Sequence, residues 1–124
     1  MILCLLLALQ AQPAPKLHRP YWLVPVDSVA TTKHTHVHVR GKITLRRHEQ
    51  DGDTHYKIIG KHSFIVAECI PELPCNNFNV GDVVDVYGIS REDKEHGWWE
   101  VHPAECISIG PTCGPRLQIE WQRK

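Results

Sequence analysis

Hydrophobic and polar residues alternate along five stretches of the chain, and this pattern predicts β-strands. The alternation is clearest after the Gly81-Asp82 turn, where Val84 and Val86 point one way and Tyr87 the other. Turn residues rich in glycine, proline, asparagine and aspartate separate the stretches. The five predicted strands span residues 34–47, 54–59, 63–70, 80–90 and 98–109. We therefore expect an all-β domain.

The first predicted strand is long and has a glycine near its middle. Its apolar face is formed by Val37, Val39, Gly41, Ile43 and Leu45. A glycine in mid-strand is typical of a bend or bulge, which lets one strand pair on two sides of a barrel. The fifth strand is expected to break or bulge at Pro103, because proline cannot donate to a strand ladder.

The segments outside the strands divide the chain further. Residues 1–11 hold an uncharged apolar run that is too short to span a bilayer and has the length found in signal peptides. Residues 12–33 are a proline-rich, irregular extension whose apolar island at 21–24 we expect to cap the barrel. The barrel domain covers residues 34–124 and ends in a short strand containing Leu117, Ile119 and Trp121.

The pattern at residues 1–11 favours export to the periplasm or outside the cell, although no basic residue precedes the apolar run. In the alternative, the protein is cytoplasmic and this run packs on the domain. No transmembrane span is expected, since no apolar stretch is long enough.

Composition limits the classes of partner. The 14 basic and 14 acidic residues balance, which argues against general nucleic-acid binding because that function usually needs an excess of positive charge. Nine histidines are many for 124 residues, and they add positive charge as the pH approaches about 6.

Four cysteines remain after Cys4 in the export segment is set aside, and an even number in an exported domain predicts two disulfides. The pairing stays open between a local one, Cys69–Cys75 with Cys106–Cys113, and a crossed one containing Cys69–Cys106. A four-thiolate zinc site is disfavoured because the chain has no C-x-x-C spacing. In a cytoplasmic protein the four would be ordinary thiols.

Five strands, the first of them long and bent, describe a Greek-key barrel of the OB-fold type. The chain resembles small bacterial OB-fold proteins over residues 34–107. The resemblance rests on the alternating first strand, on DGDTH at 51–55 ahead of the FIVAE strand, and on VGD at 80–82 with HGWWEVHP at 96–103.

This resemblance implies a fold and carries no tested activity. The chain is also similar in size and export to the periplasmic bacterial OB-fold family. It departs from the usual pattern because residues 71–79 cannot form the helix that normally plugs the barrel. We expect residues 21–24 or the C-terminal strand to take the place of that plug.

A run of three alternating histidines is the first candidate site. His34, His36 and His38 share one strand face at about 6.6 Å spacing. His36 and His38 could bind one zinc ion together with Asp53 or His55 on the neighbouring strand. The alternative, a solvated polar face, is favoured.

Glu68 and His102 form the second candidate. Glu68 interrupts an apolar strand, so its carboxylate needs a partner, and His102 on the neighbouring strand is the expected one, with Glu105 a further candidate. Such a pair can act as a general base or as half of a metal site with His55. A structural ion pair is the favoured alternative.

A ligand-binding face is the third candidate. Trp98 and Trp99 point to opposite sides, so one fills the barrel and the other is expected beside Tyr87, Arg40 and Lys42. OB-folds stack bases or sugar rings on such aromatic and basic surfaces. In the alternative, both tryptophans are covered.

The favoured function is an exported OB-fold module that binds an unidentified ligand or protein partner, the ligand being an oligosaccharide, an oligonucleotide or a metal ion. A non-enzymatic role is preferred. One alternative is a metal-dependent hydrolase using His55, Glu68 and His102, with zinc as the expected cofactor. A nuclease variant of it would draw on Asp51, Asp53, Glu68 and Arg40. Another is a structural envelope-stress protein without a small ligand.

Overall fold

The computed structural model describes residues 21–110 and Cys113, and within them the chain forms a closed β-barrel with one extra strand. The elements are β1 (Trp22–Leu23), a short 3-10 helix (Val26–Ser28), β2 (His36–His48), β3 (Thr54–Ile59), β4 (Phe64–Cys69), β5 (Val83–Asp93) and β6 (Trp98–Ser108). The strand order is β1-β2-β3-β4-β6-β5, and β2 also pairs with β5 to close the barrel. The predicted all-β, OB-type barrel is confirmed.

Strand β2 pairs on two sides of the barrel, as its central glycine predicts. Its residues 36–42 pair with β5 and its residues 42–48 with β3. A Cβ on Gly41 would lie 2.6 Å from Ile58 Cγ2 and 2.7 Å from the Ile59 carbonyl oxygen. Only glycine therefore fits where the strand changes partners.

A bulge in β2 corrects the predicted position of one apolar residue. The register with β3 shifts between Ile43 and Leu45, so Thr44 is the extra residue. An extra residue reverses the alternation of faces. Leu45 therefore lies outward with 48% of its surface exposed instead of in the core. The same shift pairs Arg47 with His55.

The N-terminal segment supplies part of the core. Strand β1 pairs in parallel with β2, and Val24, Val26 and Val29 belong to the central apolar cluster. The Asp27 carboxylate accepts hydrogen bonds from the backbone amides of His62 and Ser63, which ties the segment to the β3–β4 turn. Residues 21–33 thus lie against the barrel.

The connection between β4 and β5 has no helix, as its prolines and asparagines predict. Phe78 from this connection packs in the core beside Tyr56, whose hydroxyl accepts a hydrogen bond from the Phe78 amide. Together with the valines of the N-terminal segment, Phe78 takes the place of the usual helical plug.

Strand β6 is irregular at the predicted position. Its register with β5 shifts on both sides of Gly88, and the His102–Pro103 peptide bond is cis. Trp99 packs against the core, whereas Trp98 lies outside it, which confirms their predicted separation.

Two disulfides join neighbouring cysteines, Cys69 with Cys75 and Cys106 with Cys113. The local pairing is therefore the correct one. The predicted signal peptide at 1–11 and the predicted C-terminal strand at 117–121 lie outside the described residues. Over residues 21–110 and at Cys113, no helix is long and apolar enough to cross a membrane.

Candidate metal centre

Three polar side chains from three neighbouring strands meet on the outer face of the barrel. His55 of β3 pairs directly with Glu68 of β4. The parallel register of Ala67 with Val101 places the next residues, Glu68 and His102, side by side. Because side chains alternate along a strand, the inward neighbours fill the core while these three face outward.

Glu68 is the central member of this group. Its Oε1 lies 2.5 Å from His55 Nε2, and its Oε2 lies 2.8 Å from His102 Nδ1. Only 7% of Glu68 and 9% of His55 is exposed. The predicted contact between Glu68 and His102 is present, and His55 joins it.

Two further carboxylates extend the group on either side of Glu68. Asp53, His55 and Glu68 form one set of three, and Glu68, Glu100 and His102 form a second. Within each set, the nitrogen and oxygen atoms that could bind a metal ion lie within 4.8 Å of one another. We call these five residues the candidate metal centre, or the centre for short. Glu68 belongs to both sets.

Outer contacts orient His55. Its Nδ1 lies 3.4 Å from Glu49 Oε1, and Glu49 accepts a 2.6 Å hydrogen bond from Arg47 Nε. The Glu49 carboxylate could accept the Nδ1 proton of His55 when Nε2 binds a metal ion. Metal-binding histidines are commonly held by a carboxylate in this way.

Glu100 is the most deeply buried carboxylate of the centre, with 1% of its surface exposed. Its Oε1 lies 3.3 Å from Arg91 Nε and 3.3 Å from His102 Nδ1. The Trp98 indole N–H donates to Oε2 at 3.2 Å. These contacts compensate the burial of the charge and fix the side chain beside His102.

Burial and neighbouring negative charge raise the pKa of two carboxyl groups of the centre, Glu68 and Asp53. Burial raises the pKa of Glu68, and the charge of Glu100 raises it further, while the two imidazoles act in the opposite direction. The pKa of Asp53 is also raised, first by its partial burial and then by Asp51. A cation placed beside Glu68 and Glu100 would relieve the repulsion between these two carboxylates.

One side of the centre faces a surface pocket. This pocket of about 500 Å³ is lined by His55 and Glu68 of the centre together with Arg47, Glu49 and His96. A metal ion or a small molecule in the pocket would therefore contact the centre at His55 and Glu68.

The structure separates the histidines of β2 from the centre, which corrects the predicted zinc site of His36 and His38 with Asp53 or His55. Both lie on the half of β2 that pairs with β5, whereas His55 pairs with Arg47 near the other end of that strand.

These β2 histidines have other surroundings. His38 Nε2 lies 2.7 Å from Asp85 Oδ1, and its ring stacks on Tyr87 with centroids 4.1 Å apart. His36 packs edge-on against Tyr21, and the His34 ring stacks on Trp22. The polar face predicted as the alternative is thus largely engaged in aromatic contacts.

The predicted stacking surface is only partly assembled. Tyr21 covers Tyr87, which is 3% exposed, so Tyr87 offers no free ring face. Arg40 and Lys42 are exposed, and Trp98 is partly buried with its ring stacked on His96 at 4.6 Å. Tyr87, which was predicted to belong to the ligand-binding face, is therefore covered by neighbouring rings.

Sequence reasoning missed Glu100 as a member of the centre and named Glu105 in its place. Glu105 belongs to neither set of three and instead lies near Tyr21, whose pKa is raised by burial and by this carboxylate. Glu100 could have been found from its spacing, since it lies two residues before His102 and so shares its strand face.

Comparisons with known proteins bear on the fold. No family model and no curated protein matches the chain. A solved chain assigned as an aspartyl-tRNA synthetase of Leishmania major Friedlin is similar, with a TM-score of 0.57 and 13% identity over 78% of this chain. The present chain spans 22% of that longer protein. The S. pombe Stn1-ten1 complex gives a TM-score of 0.49 at 16% identity, covering 86% of this chain and 93% of the matched one. At such identities the first likeness shows the fold alone.

Proposed function

We propose that this protein is an exported OB-fold binding module whose ligand is a divalent transition-metal ion, with zinc the first to test. The observation that carries the proposal is the convergence of two imidazoles and two further carboxylates on Glu68. Asp53, His55, Glu100 and His102 are the other proposed ligands.

The chemistry of the donor set suits this class of ion. Imidazole nitrogen and carboxylate oxygen are both zinc ligands, and imidazole favours zinc and its neighbours over calcium or magnesium. The strands hold the donors close together before any ion arrives, so little backbone ordering opposes binding.

A purely structural role for these residues would need fewer contacts than the structure shows around Glu68. One imidazole beside Glu68 would suffice to fix the register of two strands. Here Glu68 faces an imidazole on each side, and each imidazole has a further carboxylate of its own. The orientation of His55 by Glu49 adds a feature that strand register does not require.

Export is part of the proposal and is supported by the two disulfides. Disulfides persist mainly in oxidising compartments such as the periplasm and the cell exterior. The apolar run at residues 1–11 supports the same location. Membership of the small bacterial OB-fold proteins is likewise a proposal, and it rests on the motifs at 51–55, 80–82 and 96–103.

Metal analysis of protein purified without a histidine tag tests the proposal. We expect zinc to bind at one or more equivalents, to withstand gel filtration, and to be reduced in His55→Asn and His102→Asn. His62→Asn is the matched control, because His62 is exposed in the β3–β4 turn and belongs to neither set of three. If zinc, cobalt and manganese all fail to bind the folded wild type, the proposal is wrong.

A metal-dependent hydrolase is the second candidate, and the pocket of about 500 Å³ beside the centre is the observation that favours it. A bound divalent ion supplies a nucleophile by lowering the pKa of water. Assays with bis(4-nitrophenyl) phosphate and 4-nitrophenyl acetate in the presence of zinc or manganese test this role. Turnover that disappears in His55→Asn supports it, and absence of turnover in a metal-loaded protein argues for the binding module.

A further inference from the structure

We propose that the candidate metal centre binds two divalent ions bridged by the carboxylate of Glu68. This inference rests on the proposed metal-binding function and specifies its stoichiometry and geometry. The ion nearer β3 would be bound by Asp53, His55 and Glu68, and the ion nearer β6 by Glu68, Glu100 and His102.

The orientation of Glu68 is the first argument. Its two oxygens face imidazoles on opposite sides, with Oε1 toward His55 Nε2 at 2.5 Å and Oε2 toward His102 Nδ1 at 2.8 Å. Strand β4 lies between β3 and β6, so the carboxylate stands between the two histidines. A bridging carboxylate uses one oxygen for each ion, and paired ions in proteins lie roughly 3.5–4 Å apart.

The division of the ligands is the second argument. Each set of three contains one imidazole and one carboxylate of its own, in addition to the shared Glu68, and neither set contains both imidazoles. A single ion bound to both histidines would have to draw one of them away from its own carboxylate. Two ions would use all five groups while each imidazole stays beside its own carboxylate, with a small outward shift of the imidazoles from Glu68 to admit the ions.

Separate outer contacts support each half of the centre. Glu49, held by Arg47, faces Nδ1 of His55 on one side. Arg91 and Trp98 hold Glu100 on the other. Three protein ligands for each ion leave a coordination position open for water or a substrate, as in catalytic zinc sites.

Metal stoichiometry tests the inference directly. We expect two zinc ions per wild-type chain by calorimetric titration and by metal analysis after gel filtration. Asp53→Asn and Glu100→Gln should each retain one ion, since each removes a ligand from a different half. Glu68→Gln should lower the affinity for both ions, and by more than the roughly 10–100-fold that follows from loss of an outer contact. Glu92→Gln, at an exposed position of β5, is the matched control and should retain both.

Cobalt gives a second readout that does not depend on variants. Two Co²⁺ ions that share a carboxylate should be magnetically coupled. The electron paramagnetic resonance signal per Co²⁺ ion should therefore be smaller after two equivalents of cobalt per chain have been added than after one.

The possible failures are distinguishable. One ion per chain, lost equally in Asp53→Asn and Glu100→Gln, overturns the two-ion inference and leaves the metal-binding function intact. Two uncoupled ions that tolerate Glu68→Gln also overturn the bridge. Absence of any bound ion overturns both the inference and the function on which it rests.

Discussion

Replacing Gly88 by alanine should disturb the barrel and the candidate metal centre together. Gly88 lies in β5 opposite the irregular part of β6 that follows His102. A Cβ at this position would lie 2.6 Å from Val101 Cγ1 and 3.1 Å from Ala104 Cα, and it would overlap most severely with the Pro103 carbonyl oxygen. Two of these three atoms belong to the backbone, so rotation of a side chain cannot relieve the contact.

The expected cost lies at the upper end of the range for overpacked cores. Such substitutions typically destabilise by about 1–3 kcal/mol, and Val101 is fully buried. We therefore expect a loss of about 3 kcal/mol in the free energy of unfolding. For a domain of this size that corresponds to a fall in Tm of roughly 10–25 °C. Because Val101 and Pro103 flank His102, zinc affinity should fall as well.

Gly97→Ala is the matched control, because it makes the same chemical change in the same hairpin. No atom lies within 4 Å of a Cβ added there, but Gly97 has a φ of 76°. We expect it to cost about 1–2 kcal/mol from left-handed strain alone, which is less than the cost at Gly88. Denaturant unfolding of the three proteins gives the comparison. A Gly88→Ala variant as stable as Gly97→Ala would refute the reasoning.

Three further predictions concern other parts of the fold. Burial lowers the pKa of His38, and this outweighs the opposing effect of Asp85. The His38 imidazole is therefore protonated at higher pH in the unfolded chain than in the folded protein. The contribution of neutral His38 to stability is fully present above about pH 6.5 and is lost as the pH falls below that value. Between pH 7.5 and 5.5, the free energy of unfolding measured with denaturant should fall less in His38→Gln than in wild type. An equal fall in the two proteins would contradict this. Replacing Cys69 and Cys75 by alanine should lower the free energy of unfolding by about 2 kcal/mol, because the bridge closes a short loop. A double variant that keeps the Cys106–Cys113 disulfide and is as stable as wild type would argue against this. Asp27→Ala should accelerate hydrogen exchange of the backbone amides in the β3–β4 turn that now donate to this carboxylate, and unaltered exchange would show that those bonds contribute nothing.

Most of the barrel could be predicted because its strands carry strong local signals. Alternating valines identify β5, and Gly41 marks the point where β2 changes partners. Leu45 was misplaced because its bulge has no local signature: Thr44 fits an unbroken alternation as well as it fits an extra residue. Only the pairing with β3 reveals the shift, and that pairing is a property of the tertiary structure.

The candidate site was predicted in part. An acidic residue in an apolar strand signals an unusual environment, which drew attention to Glu68, and neighbouring strands pointed to His55 and His102. Conversely, the histidines of β2 form a conspicuous motif, yet His36 and His38 lie at the end of that strand that pairs with β5, and His55 pairs near its other end. A motif on one strand cannot show which end of a long strand its partners occupy.

The arrangement of the candidate metal centre depends on the irregularities of the sheet as much as on its regular pairing. The bulge after Ile43 reverses the faces of β2 and so brings Arg47 beside His55, where it holds Glu49. The register shifts around Gly88 set the path of β6 directly after His102. Without either shift the strands would still pair, but the faces presented beside Glu68 would change. The same deviations that close this small barrel therefore also position the two ends of the centre, which is why a change at Gly88 should be detected in both stability and metal affinity.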